Sequence, residues 1–346
     1  VKTRAAVLEE RITLRQGAGG RAMRALIEEV FLPGFADAPV DGIGLAAMDD
    51  GAALKIGDRW LVVTTDSHVV QPIFFPGGDI GRLAVTGTVN DLAMMGATDV
   101  LALTCAVVLE EGFPRRDLER IQASIRGACA ESGAVVVTGD TKVMGRGELD
   151  GIVLNTTGLG LTDRVVTDRG LRPGDRIVVT GSVGDHGFAV LALRHGLALD
   201  GDLRSDVAPL NGLVRLALAA GGEGVTAMKD PTRGGLAGAL HEMAAKSGVG
   251  IVLDELRVPL TPAVRAASEI LGIDPLVVAN EGKAVIGVRP DVADRVLAAL
   301  RSHPAGESAE IVGTCQAERP GSVVLDTGVG RRLLSEPDGE LLPRIC

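Results

Sequence analysis

The stretch Asp79-Ile80-Gly81-Arg82-Leu83-Ala84-Val85-Thr86-Gly87-Thr88-Val89-Asn90-Asp91-Leu92-Ala93-Met94-Met95 sets the reading of the chain. Apolar residues at Ile80, Leu83, Ala84, Val85, Leu92 and Met95 recur at the spacing of a largely buried helix. Asn90 and Asp91 interrupt that apolar surface. A buried carboxylate without a partner is strongly disfavoured, so Asp91 reads as a functional group rather than a packing one.

Outward from this helix, short β-branched runs alternate with helical patterns. Strands are predicted over Trp60–Thr65, Leu101–Val108, Ala134–Thr138 and Ile152–Leu161. Helices are predicted over Arg21–Phe31 and Asp117–Ser132, the second closed by Gly133. The turn-rich run Leu171-Arg172-Pro173-Gly174-Asp175 marks a domain junction near residue 170. A strand at Arg176–Thr180 restarts the pattern. Helices follow at 185–195, 207–220, 234–246, 261–271 and 291–302, and strands near 249–253, 284–288, 309–314 and 321–326. The expected class is α/β with mixed sheets: one domain over 1–170, a second over 171–330, and an extended, mobile tail over 331–346. Two domains also suit 346 residues, more than one ordinary core supports.

Hydrophobic residues make up 46% and charged residues 23%, the profile of a soluble globular protein. The net charge of −10 argues against nucleic acid or an anionic membrane as partner. No apolar run reaches the roughly 18 residues of a membrane span, and residues 1–20 lack a signal-peptide core. The cytoplasm is the expected compartment. With 47 glycines, no Tyr and one Trp, the core must be aliphatic, and the backbone must turn tightly or approach a ligand in many places. Cys105, Cys129, Cys315 and Cys346 show neither metal-ligand nor disulfide spacing, and Cys105 and Cys129 read as buried core thiols. Cys346 is the last residue of the sequence. A thiol there can travel, since the roughly 14 residues from Gly330 reach about 45–50 Å when extended.

Gly17-Ala18-Gly19-Gly20 precedes the first helix. Such a loop presents backbone N–H groups and the positive end of a helix dipole to an anion; a flexible lead-in is the equal alternative. No Gly-Lys-Ser/Thr follows, so it is not a Walker A loop. Acids recur at strand ends and turns: Asp49-Asp50 before Gly51, Asp66 after Thr64-Thr65, Asp91 within its helix, and Asp230 in Lys229-Asp230-Pro231-Thr232-Arg233-Gly234-Gly235. Oxygen ligands without His or Cys suit Mg²⁺, commonly bridging to phosphate. Arg233 reinforces a second helix start friendly to anions or metal. Val137-Thr138-Gly139-Asp140-Thr141-Lys142 reads as a strand end with a tight turn, where α/β folds gather ligands. Lys142 there could neutralise phosphate, move protons or form a surface ion pair. Glu281 offers a carboxylate on a loop, and His186, in Gly184-Asp185-His186-Gly187, reads as a cap residue.

In order, the glycine loop, Asp49-Asp50-Gly51-Ala52, Thr64-Thr65-Asp66, Asn90-Asp91-Leu92-Ala93, Gly139-Asp140-Thr141-Lys142, Gly184-Asp185-His186-Gly187, Thr232-Arg233-Gly234-Gly235 after Asp230, and Asn280-Glu281-Gly282 form one set. It resembles the aminoimidazole ribonucleotide synthetase (PurM-like) superfamily, whose members cleave ATP to phosphorylate an amide, carbonyl or selenide. Within it, Phe74-Phe75-Pro76-Gly77-Gly78 and Pro343-Arg344-Ile345-Cys346 are similar to the HypE carbamoyl dehydratases of hydrogenase maturation. The resemblance runs from Gly17 to Cys346.

It implies a two-domain PurM-like fold, a homodimer through the N-terminal domain, and ATP in a cleft between sheet and glycine loop. It implies that the carbamoyltransferase HypF loads Cys346 and that ATP activates the carbamoyl oxygen. Loss of phosphate then leaves a thiocyanate, whose cyanide passes to iron on a HypC–HypD complex. Gly17, Gly19, Gly20, Asp50, Asn90, Asp91, Asp140, Thr141, Lys142 and Arg233 are expected around ATP, and Asp49, Asp66, Asp91 and Asp230 around Mg²⁺. Lys142 and Glu281 are expected to remove protons from the group on Cys346. Pro343 and Ile345 would guide the thiol, and Arg344 would offset the terminal carboxylate. The rivals are a selenophosphate synthetase, whose reactive N-terminal Cys is missing from Arg15-Gln16-Gly17-Ala18, a thiamine-phosphate kinase, and a non-catalytic nucleotide-binding scaffold. The scaffold predicts the loss of acids that are all present here.

Overall fold

The structure, a computed structural model, describes residues 11–17, 19–35, 40–197, 202–337 and 344–346. The N-terminal half contains α1 (Gly20–Leu26), β1 (Gly42–Ile43), β2 (Ala52–Ile56), β3 (Arg59–His68), the hairpin β4 (Phe74–Phe75) and β5 (Gly78–Asp79), α2 (Ile80–Met94), β6 (Asp99–Glu110), α3 (Arg115–Ser132), β7 (Val136–Met144) and β8 (Ile152–Thr162). Six of its strands form one sheet in the order β1-β2-β3-β8-β6-β7, in which only the β6–β7 pair is parallel.

The helix read first from the sequence is the spine of this half. Asp79 caps it, its carboxylate accepting from the N–H groups of Gly81 and Arg82. Residues alternate along β8, with Ile152, Leu154, Thr156, Gly158 and Gly160 buried. Gly158 lets α2 approach, since a Cβ there would stand 2.6 Å from Thr88 Cγ2. Thr156 then donates to Ala84 O at 2.9 Å and accepts from Thr88 at 2.6 Å. Helix α2 is buried on nearly every side because the C-terminal half covers its other face, with Met94 in one cluster with Leu210, Leu213 and Val288.

The second half comprises β9 (Arg176–Val179), α4 (Asp185–Arg194), α5 (Asn211–Gly221), β10 (Val225–Lys229), α6 (Gly235–Ser247), β11 (Gly250–Asp254), α7 (Pro262–Leu271), β12 (Val285–Val288), α8 (Ala293–Arg301), β13 (Glu310–Gln316), β14 (Val323–Asp326) and β15 (Arg331–Leu333). Its seven strands run β10-β12-β9-β13-β11-β14-β15. Both faces are covered: Ile177 and Val179 join Leu236, Leu240 and Met243 of α6, while Val178 joins Leu213, Val214 and Val296 of α5 and α8. That explains why these strands read as continuous apolar runs.

Several expectations change. The helix expected to reach Phe31 is α-helical only to Leu26 and winds as a π-turn over Ile27–Phe31. The tight turn expected after Thr138 is absent, because β7 continues hydrogen-bonded to β6 as far as Met144. The short strands β10 and β15 escaped notice. With Arg331–Leu333 in the sheet and Leu334 buried, the segment read as a mobile tail begins as packed structure. Pro343 lies outside the described residues. Cys105 and Cys129 are half-buried rather than core thiols. Among the described residues no helix is long and apolar enough to cross a membrane.

Leu92 is fully buried between α2 and the sheet. Leu92→Ala is expected to cost about 3 kcal/mol, read as a lower urea midpoint with unchanged slope. A loss below about 1 kcal/mol would mean that α2 is not the spine described here.

Candidate active site

Carboxylates from both halves meet beside α2. Thr64 of β3 donates to Asp91 Oδ2 at 2.8 Å. Asp66, two residues on, points to the same side: a Cβ on Gly87 of α2 would stand 3.6 Å from its Oδ2. Asp230 follows β10 directly, and Glu281 comes from the loop before β12; both are buried. Burial pushes Asp91 well above the usual carboxylate range, and Asp66, Asp230 and Asp50 push it further. Asp230 rises through burial and then through Asp50, with Asp66 adding to the rise. Glu281 rises through burial, then Asp230, Asp206 and Asp66, and its Oε1 has no hydrogen-bond partner.

A second group adjoins the first. Lys229 Nζ bonds Asp50 at 2.6 Å and lies 3.3 Å from Glu242. Burial alone would pull Lys229 down, but Asp50, Glu242 and Asp168 outweigh it and hold the lysine well above its usual range. Asp49 is pushed up to about 7 by burial, then by Asp168 and Asp50. Lys246 in turn bonds the fully buried Asp168 at 2.5 Å.

The terminal thiol lies at the first group. Val69 N–H donates to Cys346 O at 3.2 Å and Gln71 N–H to Arg344 O at 3.1 Å, so the chain end pairs with the residues after β3. Arg233 Nε donates to Cys346 Sγ at 3.2 Å. The guanidinium is pushed further up, chiefly by the charge of that sulfur, and it supplies the positive charge a thiolate nucleophile needs. Gly19 (φ 78°) is required here, because a Cβ would stand 2.8 Å from Arg233 Cβ. Gly20 (φ 64°) is required because a Cβ would stand 2.3 Å from Pro337 O. The glycine loop thus packs on the Arg233 turn, and Arg21 N–H is donated to Pro337 O at 3.3 Å, not held open for an anion. Gly17 lies in a short 3₁₀ turn with nothing packed where a Cβ would be.

Other expected site residues fall elsewhere. Asn90 spends its amide on structure: Nδ2 donates to Ala208 O and Glu281 O, and Oδ1 accepts from Leu210 N–H. Asp140 and Lys142 pair at 2.8 Å in solvent, on strand β7. The registers align Asp66, Thr156, Cys105 and Gly139, so β7 lies three strand spacings, about 14 Å, from Asp66. Asp140 and Lys142 alternate with Gly139 and face the side of the sheet away from α2, while Thr141 shares the α2 side but stays exposed at the edge. None of these three meets Cys346 within this chain. Arg344 pairs with Asp150 and with Val69 O. His186 is no cap: it lies fully buried in the first turn of α4, with Gly184 at the N-cap. Lys229, Asp168, Lys246 and Glu242 were not singled out. Lys229 stood beside Asp230 in a quoted motif, but only the fold brings Asp50 to it.

Among the described residues no three His, Cys, Asp or Glu side chains already converge as a metal site. The donor chemistry nevertheless fits a hard cation. Asp91, Asp230 and Glu281 are each raised by burial and then by neighbouring carboxylates, Asp66 among them in every case, and Asp50 Oδ2 and Glu281 Oε1 are orphaned acceptors. A divalent cation would relieve both conditions. The arrangement brings together a thiol, a guanidinium, buried carboxylates of raised pKa and a glycine loop.

Residues 48–162 match the N-terminal domain, and residues 172–326 the C-terminal domain, of the AIR synthase related proteins. The chain is 47% identical to the carbamoyl dehydratase HypE of Rhizobium leguminosarum, over 98% of this chain and 96% of that protein. It is 43% identical to HypE of Escherichia coli K12, over 97% and 99%. Among solved structures, a HypE–HypF complex aligns at 43% identity and TM-score 0.84, covering 90% of this chain and all of that one. HypE in complex with ATP aligns at 44% identity and TM-score 0.80, covering 96% and 100%. The thiamine monophosphate kinase of Aquifex aeolicus, at 18% identity and TM-score 0.65, shares the fold alone. The chain belongs to the AIR synthase related (PurM-like) family and, within it, to the HypE carbamoyl dehydratases of [NiFe]-hydrogenase maturation.

The raised carboxylates fix the sign of a pH effect. Asp49 binds its proton up to about 7 in the folded chain but only to 3.8 unfolded, so its contribution to stability is full at low pH and fades as pH rises through that window. Without divalent cation and nucleotide, the Tm is expected to fall between about pH 5 and pH 8. Mg²⁺ with ATP should raise Tm more at about pH 8 than at about pH 6. A Tm that climbs across the window in their absence would contradict the site's electrostatics.

Proposed function

We propose that Cys346 carries a carbamoyl group as a thiocarbamate and that this chain dehydrates it to a thiocyanate with ATP. The observation that carries the reading is the Cys346 thiol held by Arg233 beside the raised carboxylates. HypF, found with a similar protein in a solved complex, is the proposed carbamoyl donor. ATP, bound to another similar protein, is the proposed phosphoryl donor.

The carbamoyl oxygen takes the phosphoryl group from ATP as one N–H proton leaves, giving an O-phosphorylated imidate on sulfur. The C–O bond then breaks, phosphate departs with the electron pair, and the second N–H proton leaves as the C≡N bond completes. Glu281 is the proposed acceptor of these protons. Burial and its acidic neighbours raise its pKa, which makes it a stronger base than a solvated carboxylate, and its orphan Oε1 is available. Arg233 orients the sulfur and offsets charge on the phosphorylated oxygen. Asp66, Asp91 and Asp230, with Asp49 at the margin, would hold Mg²⁺, which shields the phosphates when bound. Gly19 and Gly20 would border the phosphates, with Asp50 placed behind them by Lys229.

A homodimer completes the reading. The sheet face opposite α2 leaves Val108 of β6 and Val153, Leu159 and Leu161 of β8 only partly buried, with Asp140 and Lys142 exposed on the same face. Asp140, Thr141 and Lys142 enter the site only through such a partner copy. The cyano group passes to iron on a HypC–HypD complex, in the cytoplasm.

Glu281→Gln should slow conversion of preloaded thiocarbamate at least about 100-fold while ATP still binds. Normal conversion would move the base elsewhere. Cys346→Ser should abolish cyanide formation without changing Tm by more than about 2 °C; retained turnover would remove the thiol from the chemistry.

A further inference from the structure

Two features singled out in the sequence, Phe74-Phe75-Pro76-Gly77-Gly78 and His186, take no part in the chemistry above, yet both lie under the chain end. Ile345 is 2% exposed, in one apolar cluster with Phe75, Phe188 and Val264. Its carbonyl stands 2.8 Å from His186 Nε2. A carbonyl can only accept, so Nε2 carries the ring proton. Nδ1 is therefore the acceptor, and Ser205 Oγ donates to it at 2.7 Å.

Ser205 is itself fixed. Its N–H donates to Pro76 O at 2.8 Å, and its Oγ accepts from Val207 N–H at 3.1 Å. Gly77 (φ 94°) permits that approach, because a Cβ would stand 2.6 Å from Ser205 O. The Phe75 ring meets the imidazole edge-on, with centroids 5.3 Å apart. Burial lowers the His186 pKa, in keeping with a neutral ring. The β4–β5 hairpin, Ser205 and His186 form one socket, and from it His186 Nε2–H points at the tail beside the N–H groups of Val69, Gln71 and Arg194 that also hold it.

Ile345 is buried and Cys346 half-buried, so a protein that loads the thiol reaches it only when the chain end leaves this socket. Whatever holds the tail therefore acts in opposite directions on loading and on dehydration. We infer that His186 is a positioning residue: its Nε2–H, set by Ser205 and the Phe75–Gly77 hairpin, holds the Ile345 carbonyl and so fixes how long Cys346 stays beside Arg233. The inference rests on the reading of Cys346 as the carbamoyl carrier, but exposure of the thiol can be measured without it.

The test pairs pulsed iodoacetamide alkylation, read by mass on the C-terminal peptide of the full chain, with single-turnover dehydration of preloaded protein. His186→Phe keeps a ring and loses the donor. Alkylation of Cys346 should rise about five- to tenfold and dehydration fall by a similar factor. His186→Gln, which can return an N–H to the ε position, should restore most of both. Ile345→Ala should move both rates in the same directions, and it serves where His186→Phe fails to fold. Unchanged alkylation in both variants, or alkylation and dehydration falling together, overturns the inference. The expected alkylation changes with no dehydration even in the unaltered chain would uphold the latch and sink the carbamoyl reading instead.

Discussion

Buried like charge is the constraint on which this molecule turns. Asp91, Asp230 and Glu281 are drawn from a helix, a strand end and a loop into one seam, and each is raised by burial and by its neighbours. Such a group is costly to fold and is held only because α2 is locked between the two halves. In the proposed reading that cost is what suits the seam to a hard cation and phosphate, and it raises the basicity of Glu281. The lysines placed by the fold do not cancel it. Lys229 and Lys246 serve Asp50 and Asp168 in the adjoining group, leaving Arg233 to face the thiol.

The chain end completes the seam rather than fraying from it. Backbone bonds at Val69 and Gln71 fix its direction, burial of Ile345 fixes its depth, and Arg233 receives the sulfur. Glycines 19 and 20 make room on the other side, where any side chain would strike the Arg233 turn or Pro337. In the proposed reading, substrate carrier and catalytic residues are parts of one chain, and proximity replaces the binding of a free small substrate.

Much of this was legible in the sequence because local patterns carried it. The apolar spacing of α2 and the Gly133 stop of α3 both depend on near neighbours, and the acids before and within these elements were visible as misfits. What depended on long-range pairing was not. Asp140 and Lys142 read as a turn because glycine precedes them, yet β6 pairs straight through Gly139 and puts both on an exposed edge. Asn90 interrupts an apolar helix, and the partners its amide meets there, Ala208, Leu210 and Glu281, lie more than a hundred residues away. Lys229 and Asp50 are separated by 179 residues, and His186 reaches Ile345 across 159. No local pattern announces such contacts.

The central claim is that Cys346 carries the group the seam transforms. Mass of the C-terminal peptide, followed after incubation with HypF, carbamoyl phosphate and ATP, tests it most directly. The account predicts a gain of one carbamoyl group on Cys346, followed by loss of one water from that same peptide. A peptide that stays unmodified while another residue gains the carbamoyl group would contradict it.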